Sequence, residues 1–146
     1  MTPSFVQTLH FVNVSNENIL LAGIENGLCL AFKTNLFKFV SSEQLQPFNC
    51  ALTQLNDFIL NDKMKLEAVT TTSTTTSNAY NNEKVLSGCG NGRTIEFFYL
   101  NNDIKIQKFE KFKIDHTYKI NSAKSFNNKL FIADTSYNLT IYDFNT

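Results

Sequence analysis

The sequence predicts an all-β fold of about three repeated antiparallel sheet units, and three observations carry that expectation. The first is a pair of look-alike segments, Leu21-Ala22-Gly23-Ile24-Glu25-Asn26-Gly27 and Leu86-Ser87-Gly88-Cys89-Gly90-Asn91-Gly92, each leading from one apolar stretch through spaced glycines into another. A weaker third copy, Phe131-Ile132-Ala133-Asp134-Thr135-Ser136-Tyr137-Asn138, runs into Leu139-Thr140-Ile141-Tyr142-Asp143. The second is spacing. Gly23 and Gly88 are about 65 residues apart, and Ser87 and Ala133 about 46; setting aside about 21 residues at 63–83 brings the first interval to about 44, inside the roughly 40–45-residue period of a four-stranded repeat. The third is the alternation of apolar and polar residues at a period of two, with no long helical pattern competing.

The segment set aside contains Val69-Thr70-Thr71-Thr72-Ser73-Thr74-Thr75-Thr76-Ser77-Asn78. Such a run has too little apolar surface to offset its ordering entropy, so 63–83 is expected to be a disordered insertion in an inter-strand loop, where added length costs little closure entropy.

Strands follow in order from alternation and from the Asn and Gly breakers that bound them. In the first unit, taken as 1–47, they are Phe5–Val12, Ile19–Gly23, Leu28–Lys33 and a short Leu36–Val40, with Asn13–Asn18 as the first turn. In the second, 48–113, they are Asn49–Leu55, then, past the insertion, Lys84–Gly88, Arg93–Leu100 and Ile104–Phe109. In the third, 114–146, Asn121–Phe126 turns through Asn127-Asn128 into Lys129–Ala133, and Leu139–Phe144 follows; this unit lacks an outer strand. Gly23, Gly27, Gly88 and Gly92 are expected in structural turns, with a left-handed backbone at Gly27 and Gly92 where a Cβ would be costly.

Composition narrows the function classes. Thirteen basic residues balance thirteen acidic ones, so no global field draws the chain to nucleic acid or an anionic membrane. No run approaches the roughly 20 apolar residues of a membrane helix, and Met1-Thr2-Pro3-Ser4-Phe5 lacks the basic and apolar regions of a secretion signal. A soluble protein in a nuclear or cytoplasmic setting is expected. Cys29, Cys50 and Cys89 contain no CxxC pair and are odd in number, which favours a reducing compartment.

Several segments invite a chemical reading that their spacing weakens. Ser87-Gly88-Cys89-Gly90-Asn91-Gly92-Arg93-Thr94 resembles a phosphate-binding loop, but Ser87 replaces the first Gly, Arg93 replaces the Lys, and Ile95–Leu100 reads as a strand instead of the required helix. Read as a dinucleotide fingerprint, it has Arg93 where the third Gly belongs. His10 and His116 lack metal-ligand spacing, apart from Asp115 beside His116, and read as surface or edge histidines. Cys89 reads as a thiol in a Gly-rich turn without an identifiable base. Lys105–Lys113 interleaves cations with aromatics as single-strand nucleic-acid grooves do, but acidic Glu110 and Asp115 dilute the patch, and it reads rather as an outer strand whose lysines guard an exposed edge. Phe97, Phe98, Phe32, Phe37 and Phe39 read as core. No catalytic residue, cofactor or metal is expected.

The period, the Gly turns and the aromatic-Asp pair Tyr142-Asp143 together make the chain resemble the WD-repeat family, in which a Trp-Asp pair closes the third strand of each propeller blade. The resemblance covers nearly everything outside 63–83. It implies about three four-stranded blades of an incomplete β-propeller, too few for a closed ring of roughly 4–8 blades. It also implies a non-enzymatic scaffold whose partners are other protein subunits, including the missing blades in cis or in trans. The family's Gly-His pair is absent and its Trp position holds Phe32 or Lys33, Phe98 and Tyr142, which puts its Asp-His-Ser/Thr-Trp hydrogen-bond network in doubt. Within the family, the run Leu20–Phe32 is similar to a nuclear, chromatin-linked propeller subunit, which implies membership of such a complex. The alternatives are nucleic-acid binding through 105–113, or a small-molecule site in the channel drawing on Glu25, Asp134 and Asp143.

Overall fold

The computed structural model describes residues 5–14, 16–35, 37–59, 84–90 and 92–144, with the side chains of 110–112 excepted. The insertion expected at 63–83 lies outside the described residues. The described residues form the strands β1 (Val6–Val14), β2 (Glu17–Ile24), β3 (Leu28–Lys33), β4 (Lys38–Gln44), β5 (Leu52–Ile59), β6 (Lys84–Gly90), β7 (Thr94–Leu100), β8 (Ile106–Asp115), β9 (Ile120–Phe126), β10 (Lys129–Asp134) and β11 (Leu139–Asp143). They form three antiparallel meanders, β1-β2-β3-β4, β5-β6-β7-β8 and β9-β10-β11. The first strands β1, β5 and β9 lie beside one another on one side of the stack, and β4 lies beside β8 on the other.

The turns explain the abundant Asn. The β1–β2 turn passes through Asn16 at φ 65°, and β9–β10 through Asn127 and Asn128 at φ 50° and 59°. Two successive left-handed residues match the right-handed strand twist of a hairpin, and Asn tolerates that region better than most residues. Gly27 takes φ 89° between β2 and β3, and its N–H donates to the Ile24 carbonyl at 3.0 Å.

Each sheet carries a β-bulge at the same place in its first strand, where Gln7, Thr53 and Asn121 fall between paired neighbours. Counting strand partners from these bulges puts the sheets in one register. His10, Asn56 and Lys124 become equivalent, as do Phe11, Asp57 and Ser125, then Val12, Phe58 and Phe126, and, on the third strands, Phe32, Phe98 and Tyr142.

This register corrects the glycine alignment read from the sequence. Gly23 corresponds to Cys89 and Ala133, and Gly92 stands where Asn26 stands, not Gly27. Gly23 and Gly88 are therefore not turn residues; they lie inside β2 and β6. A Cβ on Gly23 would come within 2.6 Å of the Leu52 carbonyl oxygen, and one on Gly88 within 3.0 Å of Leu52 Cδ1. Gly23 thus needs close approach of the second sheet, whereas Gly88 needs room among the Leu45, Leu52 and Leu55 side chains. Gly92 does lie between β6 and β7, but Gly27 alone among the described glycines is left-handed.

Strand limits shift where the chain runs along an outer edge. The fourth strand occupies Lys38–Gln44 instead of 36–40, β5 ends at Ile59, and β8 runs to Asp115, past the expected boundary at 113. Ser41-Ser42-Glu43-Gln44 has no apolar alternation. It is held by pairing with β3 and by the Ser41 hydroxyl, which donates to the Ile104 carbonyl of the next sheet at 2.9 Å.

Two cores follow from strand alternation. Val12, Ile19, Leu21, Leu52, Leu86 and Phe98 pack between the first and second sheets, and Phe58, Phe97, Phe109, Leu130, Ile132 and Phe144 between the second and third. Adjacent Phe97 and Phe98 point to opposite faces, and both are fully buried. Each adds a T-shaped or area contribution of the kind worth about 1.5–3 kcal/mol per buried large apolar side chain. Phe37 and Phe39, expected in the core, are exposed instead: Phe37 sits in the β3–β4 turn, and Phe39 on the outward face of the first sheet.

A Cβ on Gly90 would fall 1.6 Å from the Ala51 carbonyl oxygen, whereas one on Gly92 meets nothing closer than 3.6 Å. Overpacking against backbone costs about 1–3 kcal/mol or more. Gly90→Ala should lower the thermal midpoint by roughly 5 °C or more, while Gly92→Ala leaves it nearly unchanged. Equal effects in differential scanning calorimetry would contradict this packing.

Candidate interaction surface

The best-formed polar site ties the third sheet together. His116, in the loop after β8, lies with Nε2 2.6 Å from Asp134 Oδ2 and Nδ1 2.8 Å from the Tyr142 hydroxyl. The Ser136 hydroxyl and its N–H both donate to Asp134 Oδ1. These donors, Ser136 first and then His116, hold the Asp134 carboxyl below its usual value, while burial and the Asp134 charge push the Tyr142 phenol up. His116 and Asp134 are buried. An Asp-His-aromatic network thus forms although no Gly-His pair announces it. His116 is no edge histidine, and the sequence signal for it was Asp134 closing the repeated apolar strand. In the loop before the second sheet Gln46 plays a similar part, its Nε2 donating to the Thr94 carbonyl at 2.9 Å and its Oε1 without a partner among the described residues.

The other candidate residues are not chemically available. Cys89 lies buried in β6 and Cys29 in β3, and burial pushes both thiols up to about 12, far from the thiolate form. The run from Ser87 to Thr94 leads into β7, so no helix N-terminus faces a phosphate there. In the Lys105–Lys113 segment Phe109 is buried in the core, and Lys108 donates to the Gln44 carbonyl at 3.3 Å and pairs with Glu43 at 4.0 Å. An aromatic committed to the core cannot stack on a base. Asp134 is taken by His116 and does not converge with Glu25 or Asp143. Among the described residues no group of three His, Cys, Asp or Glu could hold a metal. Tyr142, at the Trp-like position, pairs with Leu130, and Asp143 with Lys129.

What the structure does present is two open sheet faces. Phe11, Leu20, Phe32 and Phe39 form one row across the outward face of the first sheet, with Leu9, Ala22 and Leu30 beside it. The equivalent face of the second sheet is covered, so Phe98 is 0% exposed, whereas Phe11 is 66% and Phe39 51% exposed. On the far side, Phe126 is 67% exposed, yet its equivalents Val12 and Phe58 are 4% and 3% exposed in the two cores. Ile141 and Leu139 share that outward face and are exposed too. A face four strands wide, each about 4.8 Å apart and about six residues long, spans roughly 400 Å². That matches the apolar patches of a few hundred Å² that mark interaction sites.

The two covered junctions show how such faces join. His10 of β1 reaches Asp57 of β5, Nε2 to Oδ2 at 3.0 Å, and the hydrogen bond from His10 is the main cause that keeps the Asp57 carboxyl below its usual value. At the next junction Asn56 of β5 accepts from the Ser125 N–H at 2.9 Å and donates to the Ala123 carbonyl at 3.1 Å. At each junction the residue at this register position adds polar contacts to the apolar packing, alongside others such as the Ser41 hydroxyl on the Ile104 carbonyl at the first and the Ala123 N–H on Gln54 Oε1 at the second.

Three stacked meanders joined in this way define a β-propeller arrangement. No protein-family model matches the chain, and no curated protein does. Solved structures do. The chain is similar to the β-propeller domain of Cps50 (Swd1) from Myceliophteria thermophila, with a TM-score of 0.61 at 14% identity over 96% of this chain and 40% of that one. It is similar to the computationally designed Ika8 protein (TM-score 0.57, 13% identity, 95% and 33%) and to BBS1N in complex with ARL6DN (TM-score 0.53, 8% identity, 99% and 42%). The neighbours thus include a β-propeller domain, and the chain spans about a third to two-fifths of their length.

Asp57 and Asp134 both have carboxyls held down in the folded state, so each contributes stability that is present above the usual Asp value of 3.8 and lost as pH falls through the lowered one. The thermal midpoint should therefore fall as pH is taken from 5 toward 3. Asp134→Asn should flatten that dependence. A variant with the same acid slope as the parent protein would remove Asp134 from the network described.

Proposed function

We propose that this chain is a non-enzymatic, protein-interaction scaffold: a propeller segment whose ring is continued on both flanks by sheets from polypeptide beyond these residues. The observation that supports this reading is the contrast between equivalent residues, Phe98 buried and Phe11 open on one side, Phe58 buried and Phe126 open on the other. Faces that form a core twice within the molecule have the chemistry to form it again at each end. The propeller-like neighbours support a scaffold role, one of them being a complex with a second protein. Because function is grafted onto propeller rims and not dictated by the fold, the finer reading rests on sequence resemblance: a subunit of a nuclear, chromatin-related assembly, similar in the run Leu20–Phe32 to the WD protein of the yeast ASTRA assembly. Units 1–47, 48–113 and 114–146 would then be three consecutive blades.

Expressed alone, the chain should self-associate or bind a hydrophobic dye through its open faces. Affinity purification from native extract should return stoichiometric proteins, and Phe11→Asp combined with Phe39→Asp should abolish their recovery without unfolding the chain. A monodisperse monomer that binds no dye and captures nothing would overturn the proposal. A salt-sensitive shift of single-stranded nucleic acid by the same chain would replace it with the reading based on residues 105–113.

A further inference from the structure

We propose that Lys124 is the specificity determinant of the third sheet's open face. The sheet that covers this face, in a partner polypeptide and not in a second copy of this chain, carries a carboxylate on its innermost strand opposite the Lys124 ammonium. The inference rests on the ring reading above and adds to it the chemistry of one flank.

The register fixes the position. His10, Asn56 and Lys124 occupy the same place in β1, β5 and β9, on the face that each sheet turns toward its successor. At the first two junctions that residue makes a polar contact across the interface, His10 to the Asp57 carboxylate and Asn56 to the backbone at Ala123 and Ser125. At the third position stands an exposed Lys, beside the exposed Phe126 and next to Phe131, its partner on β10. Covering this apolar face leaves Lys124 part-buried, as it leaves His10 and Asp57 at 24% and 32% side-chain exposure at the first junction. A Lys ammonium has three donors and no acceptor, and an unpaired charge in such an interface is strongly unfavourable. An Asn or a His at this place can be satisfied by neutral groups, as Asn56 is. Lys calls for an anionic acceptor, as Asp57 provides to His10.

The same register excludes self-pairing as the match. The residue of this chain equivalent to Asp57 on its own open face is Phe11, surrounded by Leu9, Leu20, Phe32 and Phe39, with no carboxylate in that set. Head-to-tail stacking of two copies would place Lys124 against Phe11 and leave the charge without an anion. The covering sheet accordingly has apolar side chains over Phe126, Phe131 and Ile141 and an Asp or Glu at the place that Asp57 holds in β5.

The test uses the tagged full chain in its own cells and a water-soluble carbodiimide, which joins an amine to a carboxylate in direct contact with loss of water. Peptide sequencing of the purified complex should find Lys124 Nζ in an amide bond with an Asp or Glu of another polypeptide. Lys124→Glu should lower recovery of that polypeptide at least about tenfold, and changing the linked carboxylate to Lys should restore it. Lys124→Arg should keep the association and lose the cross-link. Three results would overturn the inference: coupling of Lys124 to a second copy of this chain, undiminished recovery with Lys124→Glu, or acetylation of Lys124 in the complex as fast as that of exposed Lys105. If the partner polypeptide is still recovered in any of these cases, the scaffold reading stands and only the role of Lys124 falls. If no polypeptide is recovered at all, both fall.

Discussion

A β-sheet that is apolar on both faces needs a neighbour on each, and this requirement governs the whole chain. The middle sheet meets it within the molecule, with Phe98 directed to one core and Phe97 to the other. Both side chains reach complete burial because a neighbouring sheet packs over each face. The flanking sheets carry the same two-sided pattern but meet the requirement on one face only. Leu9, Phe11 and Phe39 at one end, and Phe126, Leu139 and Ile141 at the other, are inter-sheet residues by register and surface residues by exposure. The apolar drive is non-directional, so stacking alone would let the sheets slide. Bulges at Gln7, Thr53 and Asn121 and the polar contacts at each junction set the alignment that apolar packing cannot specify.

Polar groups in this chain serve alignment before chemistry. His116, Asp134, Ser136 and Tyr142 look like a catalytic constellation by residue type, with a carboxylate, an imidazole and two hydroxyls within hydrogen-bonding reach. Both imidazole nitrogens are engaged, and Asp134 accepts from Ser136 as well as facing His116. The group fastens the loop before the third sheet to the ends of β10 and β11. Gln46 does comparable work before the second sheet with backbone carbonyls in place of the carboxylate. The two thiols closest to the Gly-rich turns, Cys29 in β3 and Cys89 in β6, are buried in the same way.

Much of the architecture could be read from residue order. Period-two alternation located the strands, because the side chains of a strand alternate between faces whatever surrounds it. The Asn-rich turns were equally legible, since Asn16, Asn127 and Asn128 adopt the left-handed backbone that hairpins require. Edge strands were harder: Ser41–Gln44 carries no apolar signal and is held in place by its neighbours. The glycine alignment misled by one position, since Gly23 answers to close approach of the second sheet and Gly88 to leucine side chains around it, while Gly90, with the Ala51 carbonyl against it, has the tightest surroundings.

The sequence by itself determined the all-β class, the number of sheet units and the presence of two-sided apolar strands, because these depend on local alternation and turn chemistry. Only the tertiary structure decided which residues are equivalent, since register is set by bulges and cross-strand pairing that leave no fixed mark in residue order. It also decided that His10 and His116 are partnered and that Phe109 is core while Phe39 is surface, because each outcome depends on which sheet lies opposite. The place of Lys124 in the row of His10 and Asn56 emerged in the same way, from three strands far apart in the chain brought to one level of the stack.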